Sequence, residues 1–194
     1  MRNIILASGS PRRKKILEQF INFQIQTPDI TEIKDNYFKA KTTVMALAFE
    51  KGIHIANKNK DSLIISCDTI VEYGGLLLGK PKDRKEAESM LENLSGKTHN
   101  VYSGYSLILL GENIKYVDFV KTIVKFKKLS QQTINSYLDT NEYVDKAGSY
   151  AIQEKGALLI EEFKGDYFNV IGLPISQIYD DLKKLFNIDL MGFK

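Results

Sequence analysis

Residues 4–17 read Ile-Ile-Leu-Ala-Ser-Gly-Ser-Pro-Arg-Arg-Lys-Lys-Ile-Leu, and their order decides the fold class. Ile4, Ile5 and Leu6 form a short apolar run of the kind that makes a buried strand, whereas Ile16, Leu17 and Phe20 recur at helical spacing. Ser10 suits the position before a helix and Pro11 its first residue, so the stretch predicts a strand running into a helix. Arg12 and Arg13 then fall on the first helical turn, beside free amide groups that favour anions. Two arginines gain nothing from the helix dipole there, so they are either solvated or placed to grip a polyphosphate.

The same alternation continues outward. Strands are predicted near Asn3–Ala7, Leu63–Val71, Ser106–Leu110 and Tyr116–Lys127, and helices near Phe38–Ala56, Arg84–Leu94, Gln131–Leu138 and Ile175–Phe186. This is an α/β pattern. Val120, Thr122, Val124 and Phe126 alternate with Lys121, Lys125 and Lys127, which predicts a strand with one wet face in an antiparallel pair. No repeat or low-complexity linker divides the 194 residues, so a single unit over 1–194, pinched by a cleft, is expected.

Composition narrows the function classes. The chain is 43% hydrophobic and 10% aromatic, and 27 basic residues against 24 acidic ones give a net charge of +3. That balance suits a local anion site and gives no support to a nucleic-acid partner. Cys67 is the sole cysteine, which precludes an intrachain disulfide and suits a reducing, cytoplasmic setting. No run approaches the length of a membrane span, and the N-terminus lacks a secretory pattern.

Three further features carry chemistry. Asp68 follows the apolar run Leu63-Ile64-Ile65-Ser66-Cys67, and a carboxylate at the end of a buried strand must be ion-paired, metal-bound or open to a cleft. Gly74–Lys80 nearly matches a phosphate loop, but Pro81 stands where the metal-binding hydroxyl belongs and Leu76-Leu77-Leu78 reads as a strand. Gly74-Gly75 is better read as a hairpin turn, leaving Lys80 either exposed or against a phosphate. Lys51 shares a helical stripe with Val44, Ala48 and Ile55, so it faces the apolar side, where it snorkels out or lines a cleft. His99 fits a structural hydrogen-bonding role at a strand start, His54 has no sequence partner, and no His or Cys spacing suggests a metal site.

Five ordered blocks then carry a resemblance: ASGSPRRKKIL, CDTIV, GKPKDRKEAESMLENLSGKTHNVYSG, EYVDKAGSYAIQ and GDYFNVIGLP. Together they resemble the Maf family of nucleoside triphosphate pyrophosphatases over nearly the whole chain. The resemblance implies an inosine triphosphate pyrophosphatase-like fold, a mixed twisted sheet with flanking helices and two lobes around a nucleotide cleft. It implies hydrolysis of a nucleoside triphosphate to the monophosphate and pyrophosphate with a divalent metal, Mg2+ or Mn2+, in a cytoplasmic homodimer. Asp68 would be the proton acceptor, Ser8, Arg12, Arg13, Lys51 and Lys80 would bind phosphates, and Glu32 would help Asp68 hold the metal. Arg12, Thr69 and Gln153 match the dTTP/UTP branch, and one amide at Gln153 can both accept from and donate to a pyrimidine edge. Tyr143, Glu154 and Gly52 depart from the family's usual tryptophan, glycine and alanine. A division-regulating nucleotide binder and pyrophosphatases for 7-methyl-GTP or inosine triphosphate remain as alternatives.

Overall fold

The computed structural model describes residues 2–30 and 39–192. Strands β1 (Ile4–Ala7), β2 (Gln24–Ile25), β3 (Leu63–Tyr73), β4 (Leu76–Leu78), β5 (Thr98–Leu109), β6 (Ile114–Phe126) and β7 (Ile160–Lys164) form one mixed sheet. Its order is β2-β1-β3-β5-β6-β7, with β4 hairpinned onto β3. β1 runs parallel to β2 and β3, and the remaining pairings are antiparallel. Helices α1 (Pro11–Leu17), α2 (Ala40–Ala56), α3 (Arg84–Leu94), α4 (Gln131–Leu138), α5 (Tyr167–Ile171) and α6 (Ile175–Phe186) flank it.

Apolar alternation sorts these helices between the faces. On β1 and β3, Ile4, Leu6, Ile65 and Cys67 pack with α1 and α6, while Ile5, Ala7 and Ile64 pack with Ile55 and Ala56 of α2. Both faces are covered, which is why these strands read as continuous apolar runs. At the far end of β3, Val71 joins Val101, Val124 and Phe126 against α3 and α4.

The parallel neighbour of β3 stops early. β1 ends at Ala7 opposite Ser66, and β4 begins pairing only at Val71. Between these points one edge of β3, carrying Asp68 and Thr69, has no strand beside it, and a crevice opens there, as it does at the strand ends of other open α/β sheets.

Several expectations change in detail. β5 starts at Thr98 rather than near Ser106, because Ser103 and Gly104 interrupt its apolar pattern for a packing reason. A Cβ on Gly104 would lie 2.3 Å from the Val44 carbonyl oxygen, so the backbone of α2 seats directly on this strand. Gly74 and Gly75 make the expected hairpin turn, at φ 59° and 84°, which disposes of the phosphate-loop reading. Ser10 occupies the position before α1, but its side chain makes no capping bond. The predicted helix start at Phe38 and the candidate metal ligand Glu32 lie outside the described residues.

Candidate active site

The crevice beside β3 is a cavity of about 500 Å³, and it gathers residues from eight separate stretches of chain. Ser8, Arg12, Arg13, Lys51, Asp68, Thr69, Lys80 and Gln153 all line it. They are spread over almost the whole chain and meet because β1, α1, α2 and β3 converge where the sheet edge is vacant.

Lys51 and Asp68 form its buried floor. The Lys51 ammonium donates to Asp68 Oδ1 at 2.6 Å, with the two side chains only 11% and 9% exposed. Helical periodicity brings Lys51 there, since Val44, Ala48 and Ile55 on the same stripe are buried against the sheet. The other carboxylate oxygen, Oδ2, is buried with no hydrogen-bond partner. Leaving a charged acceptor in that state is costly, and such an atom is suited to a ligand, a proton or a cation.

Arg13 is held by three acceptors at once. Its Nε donates to the Gly172 carbonyl at 2.7 Å, Nη1 to Ser8 Oγ at 3.3 Å and Nη2 to Thr69 Oγ1 at 3.1 Å. Thr69 Oγ1 lies 2.9 Å from Ser103 Oγ, which donates to the Asn169 carbonyl at 3.0 Å. Because Ser103 has one hydroxyl proton and gives it to Asn169, the chain of donation runs from Arg13 through Thr69 to Ser103. The guanidinium orientation is thereby fixed from β1, β3, β5 and α5 together. Thr69 lines the cavity with its hydroxyl engaged in this relay.

Arg12 and Lys80 share one partner. Arg12 Nη2 donates to the Asp145 carbonyl at 3.1 Å, and Lys80 Nζ lies 3.3 Å from Asp145 Oδ1. Burial and the neighbouring Arg13 charge push the Arg12 guanidinium's pKa below its ordinary value. Lys146, also on the wall, is shifted down by burial and by Arg12. Positive potential therefore accumulates in this cavity, as an anion site requires. Val71, Val101, Tyr150, Val170 and Ile171 give the remaining lining an apolar character beside half-buried Gln153. Asp145, Lys146 and Tyr150 were not anticipated. They fall in the block EYVDKAGSYAIQ, in which only Gln153 was given a role, and their interactions with residues far away in sequence reveal them.

A family model described as Maf-like protein matches residues 3–185. The chain belongs to the Maf-like protein family. A relative in Clostridioides difficile (strain 630), named dTTP/UTP pyrophosphatase, is 52% identical over 189 residues, covering 97% of both chains. Proteins of the same name in Bacillus anthracis and Caldanaerobacter subterraneus are 43% and 46% identical, each over 191 residues. The Bacillus match covers 98% of both chains, and the Caldanaerobacter match 97% of this one and 92% of that one. A solved HAM1 protein from Coxiella burnetii aligns with 68% of this chain and 76% of its own at a TM-score of 0.49 and 17% identity.

One departure of this Maf-like chain from the family pattern has a local cause. A Cβ on Gly52 would fall 2.4 Å from Ser106 Oγ and 2.9 Å from Ser66 Oγ, two hydroxyls that bond each other beneath α2. Glycine at 52 therefore matches the serines at 66 and 106. Glu154 adopts a left-handed backbone, φ 56°, immediately after Gln153. Nothing in the structure explains tyrosine at 143.

Proposed function

We propose that this chain is a nucleoside triphosphate pyrophosphatase that hydrolyses dTTP and UTP to the monophosphate and pyrophosphate. The observation that carries the reading is the Lys51–Asp68 pair with its unpartnered Oδ2, set at the floor of a cavity walled by Arg12, Arg13 and Lys80. A triphosphate bears about four negative charges, and breaking the α–β link moves more onto the departing pyrophosphate, so catalysis is chiefly positioning and cationic stabilisation. Lys51 holds one oxygen of Asp68, which leaves Oδ2 aimed to accept the proton of a water attacking the α-phosphorus. The Pα–O bond to the β-phosphate then breaks, and the electron pair leaves with pyrophosphate. Arg12, Arg13 and Lys80 stabilise that leaving group, and Ser8 donates to a phosphate oxygen. The apolar end of the cavity encloses the base, where the Gln153 amide pairs with the acceptor-donor edge of uracil or thymine.

A divalent cation fits these residues. No group of three His, Cys, Asp or Glu able to hold a metal exists among the described residues, but Mg2+ commonly binds one or two carboxylates and completes its shell with substrate phosphates and water. Asp68 and Glu32 are the carboxylates that would hold it, on the family resemblance. When bound, Mg2+ or Mn2+ neutralises phosphate charge and polarises the reacting centre. A cytoplasmic homodimer completes the proposal, on the family resemblance alone. Among the described residues no helix is long and apolar enough to cross a membrane.

Pyrophosphate release across canonical and modified triphosphates, with and without Mg2+ or Mn2+, tests the reading. dTTP and UTP should be the preferred substrates, and hydrolysis should depend on the metal. Preference for 7-methyl-GTP or inosine triphosphate would overturn the assignment of Gln153, and absence of any turnover would favour a pure nucleotide binder.

A further inference from the structure

Arg12 and Lys80 differ from the other cations of the cavity in what holds them. Lys51 is locked against a buried carboxylate and Arg13 against neutral acceptors, but Arg12 and Lys80 both engage Asp145. The Lys80–Asp145 pair is loose, at 3.3 Å with side chains 60% and 72% exposed, so solvent screens it heavily. Asp145 lies on the segment after α4 in a left-handed backbone, φ 61°. Asn141, Ser149 and Glu154, which flank this wall without lining the cavity, are left-handed too, conformations that non-glycine residues rarely adopt. Strained backbone of this kind clusters at switches and ligand clamps, and here it presents a carboxylate and a carbonyl to two phosphate-binding cations.

We propose that Asp145 is an internal stand-in for the outer phosphates of the substrate, occupying Arg12 and Lys80 until a chain of linked phosphates displaces it. This rests on the pyrophosphatase reading and deepens it by naming a residue that weakens the site's hold on the pyrophosphate leaving group. One exposed carboxylate is a weak competitor against pyrophosphate, which carries more charge and can bridge both cations. A nucleoside monophosphate seated over Asp68 leaves the Asp145 contacts intact. Once the α–β bond is cut, Asp145 recaptures Arg12 and Lys80 and opposes rebinding of the leaving group.

The sign of the expected effect separates this role from a structural one. Asp145→Asn removes the charge, tolerates the left-handed backbone and keeps the carbonyl that Arg12 uses. With Mg2+ present, the Kd for inorganic pyrophosphate should tighten about two- to fivefold in Asp145→Asn, the range set by an exposed ion pair. The Kd for thymidine monophosphate should not move, and the gain with pyrophosphate should vanish at about 1 M salt. Asp145→Gly, equally at ease with a positive φ, should reproduce the gain. Weaker or unchanged pyrophosphate binding in both variants, or equal tightening of the monophosphate, overturns the proposal. If the wild type hydrolyses dTTP while the variants show no gain, only the role of Asp145 falls. If the wild type binds neither pyrophosphate nor dTTP, the hydrolase reading falls with it.

Discussion

Asp68 carries two unequal oxygens, one held by Lys51 at 2.6 Å and one buried without a partner. Deleting either member of a pair this sealed from water would strand a charge and cost about 3–5 kcal/mol, so truncation confounds chemistry with folding. Asp68→Asn lessens that cost, since an amide oxygen still accepts from Lys51 and the shape is kept, although the ammonium loses its counter-charge. Its turnover of dTTP should fall about 10²–10⁴-fold, as expected for loss of a proton acceptor, with KM in the wild-type range. Steady-state kinetics with a pyrophosphate-coupled readout decides this, and near-normal kcat would remove Asp68 from the role. The sequence exposed this residue because a charge closing an apolar run is conspicuous, and Lys51 because it interrupts an apolar helical stripe. Asp145 was invisible for the opposite reason. An acidic residue among Glu142, Tyr143 and Lys146 looks solvated, and its partners Arg12 and Lys80 lie 133 and 65 residues away.

At the scale of elements, α2 on β5 and β5 beneath the loop before β7 position the site. A methyl on Gly104 would meet Val44 O at 2.3 Å and Met45 N at 2.7 Å, both backbone atoms that cannot rotate away. Gly104→Ala should therefore lift α2, draw Lys51 from Asp68, destabilise the protein by about 1–3 kcal/mol and lower kcat, measured by urea denaturation and turnover on one preparation. An unchanged kcat would show that α2 adjusts without moving Lys51. His99, near the start of β5, is buried between Phe126 and Tyr150, with Nε2 2.7 Å from the Tyr150 hydroxyl. Burial pushes its pKa down from 6.5 to about 4. The fold thus excludes a proton that the unfolded chain binds between these values, so stability is fully present above about pH 6.5 and is lost as pH falls toward 4. Wild-type denaturation midpoints should drop across that window by the equivalent of up to about 3 kcal/mol, and His99→Gln should flatten the dependence. A parallel drop in both proteins would place the titration elsewhere. The long, strongly patterned elements α3, α4 and α6 were legible from apolar periodicity. β7 was not, because its exposed edge position leaves Glu161, Glu162 and Lys164 with no face to bury, and two-residue β2 is too short to show any period.

Across the whole molecule, the cavity is the meeting point of three apolar clusters rather than a pit in one of them. Its lining takes Ala7 from the cluster under α2, Ile171 from the cluster under α1 and α6, and Val71, Val101 and Tyr150 from the cluster against α3 and α4. A nucleoside triphosphate spanning it therefore contacts all three clusters and the loop after α4 in a single ligand, and its binding energy adds to the stability of all of them together. For one site, ligand at 100 times its Kd raises unfolding free energy by about 2.7 kcal/mol, which in a chain of this size corresponds to about 5–10 °C in Tm. Asp68→Asn makes the experiment possible, because it binds without consuming the ligand. With saturating dTTP its Tm should rise by that amount as one cooperative transition, whereas thymidine, which lacks the phosphates that reach Arg12, Arg13 and Lys80, should give a much smaller shift. A rise confined to one of two separated transitions would mean that the ligand touches only some of these clusters. The phosphate collar and the apolar base wall would then belong to different sites.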